Sequence, residues 1–275
     1  MDIMSKRGKL RSFTLWLIAA VMVILVFIPF LCALRISLAY AGTTYVPFAA
    51  PITLDNFKTL LFNTLFPRWM VNSAIISITV AITNTLFASM AGYALARGKF
   101  KGSGLLLTLT VFSMGIPYHL TIVFNFLLMY KLHLTNTFLS VIFPLAVDPF
   151  AIFLARQFIL TIPPSYDEAA RLDGCGELGV IFKIILPMSK PLLLILFVTE
   201  FMNAWNNFII PLVMISKSDM KTVTVGIADF SYATLNVNWG VIMAGSLLGS
   251  VPTIALFALL SKRFIKSFFV GGVKG

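Results

Sequence analysis

Apolar residues come along this chain in long unbroken runs, not in the alternating or striped patterns of a water-soluble domain. Residues 12–34, 69–96 and 102–130 carry no charge at all. Three further runs follow: 134–155 with only Asp148, 191–216 with only Glu200, and 230–261 with none. A helix needs about 20 apolar residues to cross a bilayer. The pattern therefore predicts six transmembrane helices, near 12–34, 69–96, 104–130, 134–155, 191–215 and 239–261, the last opening at the interfacial aromatic Trp239. The expected fold class is an all-α polytopic membrane protein, with residues 1–275 forming one transmembrane domain.

Composition agrees. The chain is 59% hydrophobic and 11% charged, with mean hydropathy +0.95, where a soluble domain has about 25% charged residues. The first run has a basic start and is followed by the small-residue triplet Ala39-Tyr40-Ala41, features shared with a cleaved signal. A signal's apolar region spans only about 7–15 residues. This run is longer and five more follow, so an uncleaved first helix is expected.

The positive charges are distributed unevenly. With a cytoplasmic N-terminus, that side receives Lys6, Arg7, Lys9, Arg11, Arg97, Lys99, Lys101, Arg156, Arg171, Lys183, Lys190, Lys262, Arg263, Lys266 and Lys274. The opposite side receives Arg35, Lys58, Arg68, Lys131, Lys217 and Lys221. Cytoplasmic excess of Lys and Arg is the rule, so both termini are expected inside. The net charge of +11 then reports topology and contact with lipid head groups. No soluble basic domain exists to bind nucleic acid. Cys32 and Cys175 fall in a span and in a loop, so neither a disulfide nor a metal site is expected.

The one long polar stretch between spans is 157–190. Pro163-Pro164 stops the fourth span, and Ser165 with Glu168 three residues later reads as a capping box opening a short helix. Gly174 is placed to end that helix. Leu178, Ile181, Phe182 and Ile185 then predict a second helix with one apolar stripe, stopped by Pro187. Helices this short need a partner surface. Asp167, Glu168, Asp173 and Glu177 make the loop a poor match for anionic lipid and a better one for a basic protein cleft.

Glu168-Ala169-Ala170, then Asp173-Gly174, then Ile185-Leu186-Pro187 resembles the EAA loop of binding-protein-dependent ABC importer permeases. Gly92-Tyr93-Ala94-Leu95-Ala96-Arg97, Arg156-Gln157-Phe158, Trp205-Asn206-Asn207-Phe208, Asn238-Trp239-Gly240 and the terminal Gly271-Gly272-Val273-Lys274-Gly275 extend the likeness to the carbohydrate-uptake branch and its MalG-like subunits. Cys175 replaces a usual Ala, and Asn207 stands where an acidic residue is common. The resemblance implies a type I, MetI-like permease fold in a bacterial inner membrane. It makes Glu168, Ala169, Ala170, Asp173, Gly174, Ile185 and Pro187 a coupling loop docked on an ATP-binding subunit. It implies that Gly271, Gly272 and Lys274, in a cytoplasmic tail over 262–275, contact the ATPase pair. The implied partners are a MalF-like second permease, two ATP-binding subunits and an extracytoplasmic solute-binding protein, with a sugar as substrate. ATP and Mg would be bound by those partners. This chain itself has no G-x-x-x-x-G-K-[ST] loop and no catalytic constellation.

Polar residues inside spans are costly and therefore informative. Glu200, Asn203 and Asn207 fall at i, i+3 and i+7 on one predicted face of the fifth span, with Trp205 able to stack on a sugar ring. Asp148, beside Pro149 and after Pro144, predicts a broken fourth span, and Asn125 lies in the third. These six are the candidate translocation path. Helix–helix hydrogen bonding is the competing reading for the fifth-span stripe, a structural kink for Asp148 and plain packing for Trp205; Asn72 and Asn84 in the second span are further candidates. The 36–68 and 217–238 segments are candidate docking surfaces on the outer side. Rival functions are a permease for a polyol, glycerol phosphate, peptide or amino acid, and an ion-coupled secondary transporter using Glu200, Asp148 and His119.

Overall fold

The computed structural model describes residues 3–40, 51–98, 100–232 and 237–271, with side chains throughout except those of 3–12, 232 and 261–271. Among the described residues every regular element is helical. In order these are α1 (Ile3–Ser37), α2 (Asp55–Phe62), α3 (Phe66–Arg97), α4 (Ser103–Ser113), α5 (Tyr118–Lys131), α6 (Leu139–Leu145), α7 (Pro149–Leu160), α8 (Ser165–Leu172), α9 (Glu177–Val180), α10 (Leu186–Met188), α11 (Lys190–Trp205), α12 (Ile209–Met214), α13 (Val223–Tyr232) and α14 (Trp239–Gly271). A π-helical turn (Ile181–Ile185) joins α9 to α10, and a 3₁₀ turn covers Ser218–Met220.

Phe13–Ser37, Phe66–Arg97 and Trp239–Leu260 are each long and apolar enough to cross a membrane unaided. The remaining candidates are bent pairs: α4 with α5 at 106°, α6 with α7 at 45°, and Glu177–Met188 with α11 at 84°. The continuous helix expected over 104–130 is thus broken at Met114–Pro117. Gly115 lowers helix propensity there, and Pro117 disfavours helical geometry in the residue before it. The run expected over 191–215 is likewise interrupted, since α11 ends at Trp205 and α12 begins at Ile209.

The chain forms two compact bodies, Met1–Phe66 with Ile227–Gly249 and Pro67–Gly226 with Ser250–Gly275. In the first, Asn56 is the polar centre. It is almost fully buried, and its Nδ2 donates to the carbonyls of Ser37 at 3.0 Å and Ala39 at 2.7 Å, closing the end of α1. Gly240 lies directly against this carboxamide, with no room for a Cβ. Along α1, residues 13–32 are all exposed in this chain, and contact with the rest of the body begins at Ala33.

The second body is organised around α3. Near its start, Trp69 Nε1 donates to the Ser218 carbonyl at 2.6 Å, and Asn72 Nδ2 donates to the carbonyls of Asp219 and Lys221 at 2.9 and 3.0 Å. Ser73 Oγ accepts from the Val223 N–H at 2.8 Å. Asn72 is therefore a structural clamp on the 215–223 segment. Midway, Ile76 and Val80 join Met129, Val141, Ile142, Ala204, Ile210 and Met214 in one core cluster. Further along, small residues let helices approach closely: Ala88 packs with Ala151, Ala155, Leu192 and Leu196.

Gly92 marks the tightest approach of α3 to α7. A Cβ there would stand 2.7 Å from Ala155 Cβ and 2.8 Å from the Arg156 nitrogen, and neither can yield without moving a helix. Gly92→Ala is expected to destabilise the protein by about 1–3 kcal/mol, the range for overpacking, read as a lower Tm of the purified protein in detergent.

Candidate functional site

Polar side chains gather at two further places among the described residues: the loop between α7 and α11, and a cavity formed where helices break. The loop opens differently from the capping-box expectation. Pro164, not Ser165, occupies the cap position of α8, and no side-chain cap bond forms. The proline pair presents its own carbonyls, Pro163 to the Tyr166 N–H and Pro164 to those of Asp167 and Glu168, so the serine has no donor left to satisfy. The exit matches expectation. Gly174 has φ +85°, a conformation glycine adopts without strain. The Cys175 N–H reaches back to the Ala170 carbonyl at 2.9 Å, the Schellman closure of a helix.

The second half of the loop departs from a simple amphipathic helix. Ile181 and Ile185 are buried, but Leu178 and Phe182, read as the same stripe, are exposed. The π turn over Ile181–Ile185 takes Phe182 out of the 3.6-residue register, while Leu178, ahead of that turn, lies on the outer side of α9. Pro187 lies just beyond the turn, and a proline there removes an N–H and crowds the carbonyl four residues earlier. The helix also runs one residue past Pro187, ending at Met188.

Two ionic clusters fasten this loop to α3. Arg97 Nε donates to Asp167 Oδ2 at 2.8 Å, and Arg97 Nη2 donates to the Ile162 carbonyl. Both partners of the pair are shielded, with side chains 11% and 2% exposed. Arg171 grips Glu177 through two bonds of 3.0 and 3.2 Å, and Tyr93 Oη bridges them, accepting from Arg171 and donating to Glu177, each at 3.2 Å. The Arg171 hydrogen bonds hold the Glu177 carboxyl below its usual range, and Glu177 raises Arg171 in return. Beneath the clusters, Tyr93, Ile159, Ile162, Ala170, Val180, Ile181 and Ile185 form one apolar core. Arg156 Nε adds a bond to the Leu95 carbonyl at 3.1 Å.

Two kinds of residue thus separate within the predicted coupling set. Ala170 and Ile185 face inward and hold the loop together, whereas Glu168, Ala169, Asp173, Gly174 and Pro187 are exposed. Sequence reasoning missed the most exposed apolar side chain of the loop, Leu172 at 89%, one helical turn on from Glu168 and Ala169 in α8. It also missed the Arg97–Asp167 and Tyr93–Arg171–Glu177 fastenings. The Gly92–Arg97 motif contained half of each.

The cavity, of about 380 Å³, is lined by Tyr118, Pro144, Leu145, Val147, Asp148, Pro149, Glu200, Asn203 and Asn207. Three helix breaks meet there. Asp148 caps α7, accepting from the N–H groups of Phe150 at 3.3 Å and Ala151 at 3.2 Å. Asn207 lies beyond the end of α11. Its side chain accepts from the Ile210 N–H at 3.1 Å, and its carbonyl accepts from Thr224 Oγ1 at 2.9 Å. The i, i+3, i+7 helical face does not extend to Asn207, yet the break returns it to the cavity with Glu200 and Asn203.

The other two path candidates stand elsewhere. Trp205 is buried and stacks on Phe201, centroids 5.6 Å apart, and Asn125 bonds within its own helix to Thr121. Neither lines the cavity. Asn84 Nδ2 donates to the Leu145 carbonyl at 3.3 Å beside the α6–α7 break. Cys32 and Cys175 are both free. No metal-binding cluster of His, Cys, Asp and Glu occurs among the described residues. Gly271 ends α14, and Gly272 and Lys274 lie outside the described residues, as do 41–50 and 233–236 of the two candidate docking segments.

Residues 84–266 match the family described as binding-protein-dependent transport system inner membrane component. The arabinooligosaccharides transport system permease protein AraQ of Halalkalibacterium halodurans is 40% identical over 235 residues, covering 85% of this chain and 84% of the relative. The trehalose/maltose transport system permease protein MalG of Thermococcus litoralis is 30% identical over 268 residues, covering 94% and 95%. Among solved structures, a chain of a bacterial ABC transporter involved in the import of the acidic polysaccharide alginate superposes with TM-score 0.81 at 21% identity, covering 94% of this chain and 98% of that one.

Arg97→Ala leaves the Asp167 carboxylate buried and unpaired, a change that costs about 3–5 kcal/mol. The expected result is a loop cleaved much faster by protease while α3 stays inserted. Acid should loosen the second cluster. With its carboxyl held below the ordinary value, Glu177 contributes stability above that value and loses it as pH falls through the lowered one. Loop amide exchange should rise over that acid range, and Glu177→Gln should abolish the pH dependence.

Proposed function

Because this chain belongs to the family of binding-protein-dependent transport system inner membrane components, we propose that its loop–helix unit is the mechanical coupling of a sugar ABC importer, of which the chain is a transmembrane permease subunit. The observation that carries this reading is the exposed knob of Tyr166, Glu168, Ala169 and Leu172 on a base fastened to α3 by Arg97–Asp167. An apolar side chain as exposed as Leu172, with Glu168 one turn before it and Asp173 after it, suits a cleft with an apolar floor and a basic rim. A separate ATP-binding subunit supplies that cleft, and two such subunits serve the two permeases.

The excess of basic residues supports a cytoplasmic position for this loop and both termini. A second permease, MalF-like, completes the path, and an extracytoplasmic solute-binding protein delivers the sugar. ATP and Mg belong to the ATPase pair, which the 262–275 tail also contacts; this subunit is not catalytic. Closure of the pair on ATP draws the two knobs together. Each knob passes the displacement through its ionic base to α3 and through α10 to α11. The cavity between Asp148 and Asn207 forms part of the substrate path, and hydrolysis resets the assembly.

Leu172→Asp is expected to lower binding-protein-stimulated ATP hydrolysis and sugar uptake by at least about tenfold, since burying an unpaired charge in an interface centre costs several kcal/mol. Membrane insertion should be normal. Full uptake by both Leu172→Asp and Glu168→Lys would contradict the proposal.

A further inference from the structure

The cavity at the α6–α7 break has a one-sided charge. Its lining contains two carboxyl groups, those of Asp148 and Glu200, two carboxamides, Asn203 and Asn207, and the Tyr118 phenol, over walls of Pro144, Leu145, Val147 and Pro149; no Lys, Arg or His takes part. Its volume of about 380 Å³ lies within the roughly 300–1,000 Å³ of small-molecule sites. Glu200 is only 5% exposed, and Asp148 is held in place by its two bonds to the start of α7.

We infer that this cavity admits uncharged saccharides and rejects acidic ones, with Asp148 and Glu200 enforcing the choice. The inference rests on the proposed substrate path and sharpens it. Saccharide hydroxyls donate to carboxylates, and carboxamides both donate and accept, so a neutral sugar satisfies this lining. The apolar walls can meet the C–H face of a sugar ring. A uronate brings a carboxylate that has no proton to give and finds no cation in the lining to receive it. It also meets like charge in a membrane interior, where screening is weak. Rejection through an unpaired, repelled charge is an effective source of specificity.

The test uses the assembled importer in nanodiscs, first without its binding protein. Calorimetric titration compares neutral arabinotriose, maltotriose and xylotriose with trigalacturonate, for the wild type, Glu200→Gln and Asp148→Asn. Asn keeps the helix cap, and co-purification of the partner subunits checks assembly of each variant. The wild type should bind at least one neutral trisaccharide at least about tenfold more tightly than trigalacturonate, and each substitution should narrow that ratio by about tenfold. Absence of saccharide binding in the wild type, no preference there, or a ratio unchanged in both variants would overturn the inference. ATP-driven uptake of the same sugars by the importer with its binding protein, measured in parallel, separates the two claims. Persisting neutral-sugar uptake with an unmoved ratio sinks charge selection alone, whereas no uptake of any saccharide sinks the permease reading with it.

Discussion

The pairing of Arg97 with Asp167 is the constraint on which the loop's architecture depends. A carboxylate that is 98% shielded from solvent, with Oδ1 finding no partner among the described residues, is tolerable only while a cation stays against it. Such a pair adds little net stability compared with an apolar replacement, but separating it is expensive. It therefore acts as a register pin: α8 can sit in one orientation on the end of α3. Once that orientation is set, Ala170 and Ile185 face the core, Arg171 falls beside Tyr93 and Glu177, and Glu168, Ala169 and Leu172 are left outside. The exposed face results from what the buried face requires.

A second constraint comes from the surroundings of the spans. Lipid offers no hydrogen bonds, so a broken helix must find partners for its freed backbone groups in protein or in a cavity. The side chain of Asp148 supplies them at the start of α7, and Asn207 does so at the start of α12. Both residues line the same polar cavity. Capping a break and lining a cavity are thus one task for these residues.

What could be read in advance followed from local rules. Gly174 was legible because a left-handed position favours glycine, and the fourth-span break because Pro144, Asp148 and Pro149 each oppose a continuous helix. The expectation of a MetI-like permease fold agrees with the family match and with the 0.81 TM-score to the alginate transporter chain. The misses share a cause. The 3.6-residue period that points Phe182 inward does not hold through a π turn. Trp205 is a path candidate on its chemistry alone, and only packing shows that it is buried against Phe201, apart from the cavity lining. The pairing of Arg97 with Asp167 spans 70 residues, a separation no periodicity reports. Asn56 was passed over because its partners, two carbonyls at the end of α1 and the bare backbone at Gly240, leave no mark in composition.

At 89% exposed, the Leu172 side chain carries almost no packing within this chain, so its exchange for a polar residue should cost the fold little. The loop is thereby divided into a face whose side chains the fold dictates and one that it leaves to chemistry outside the chain.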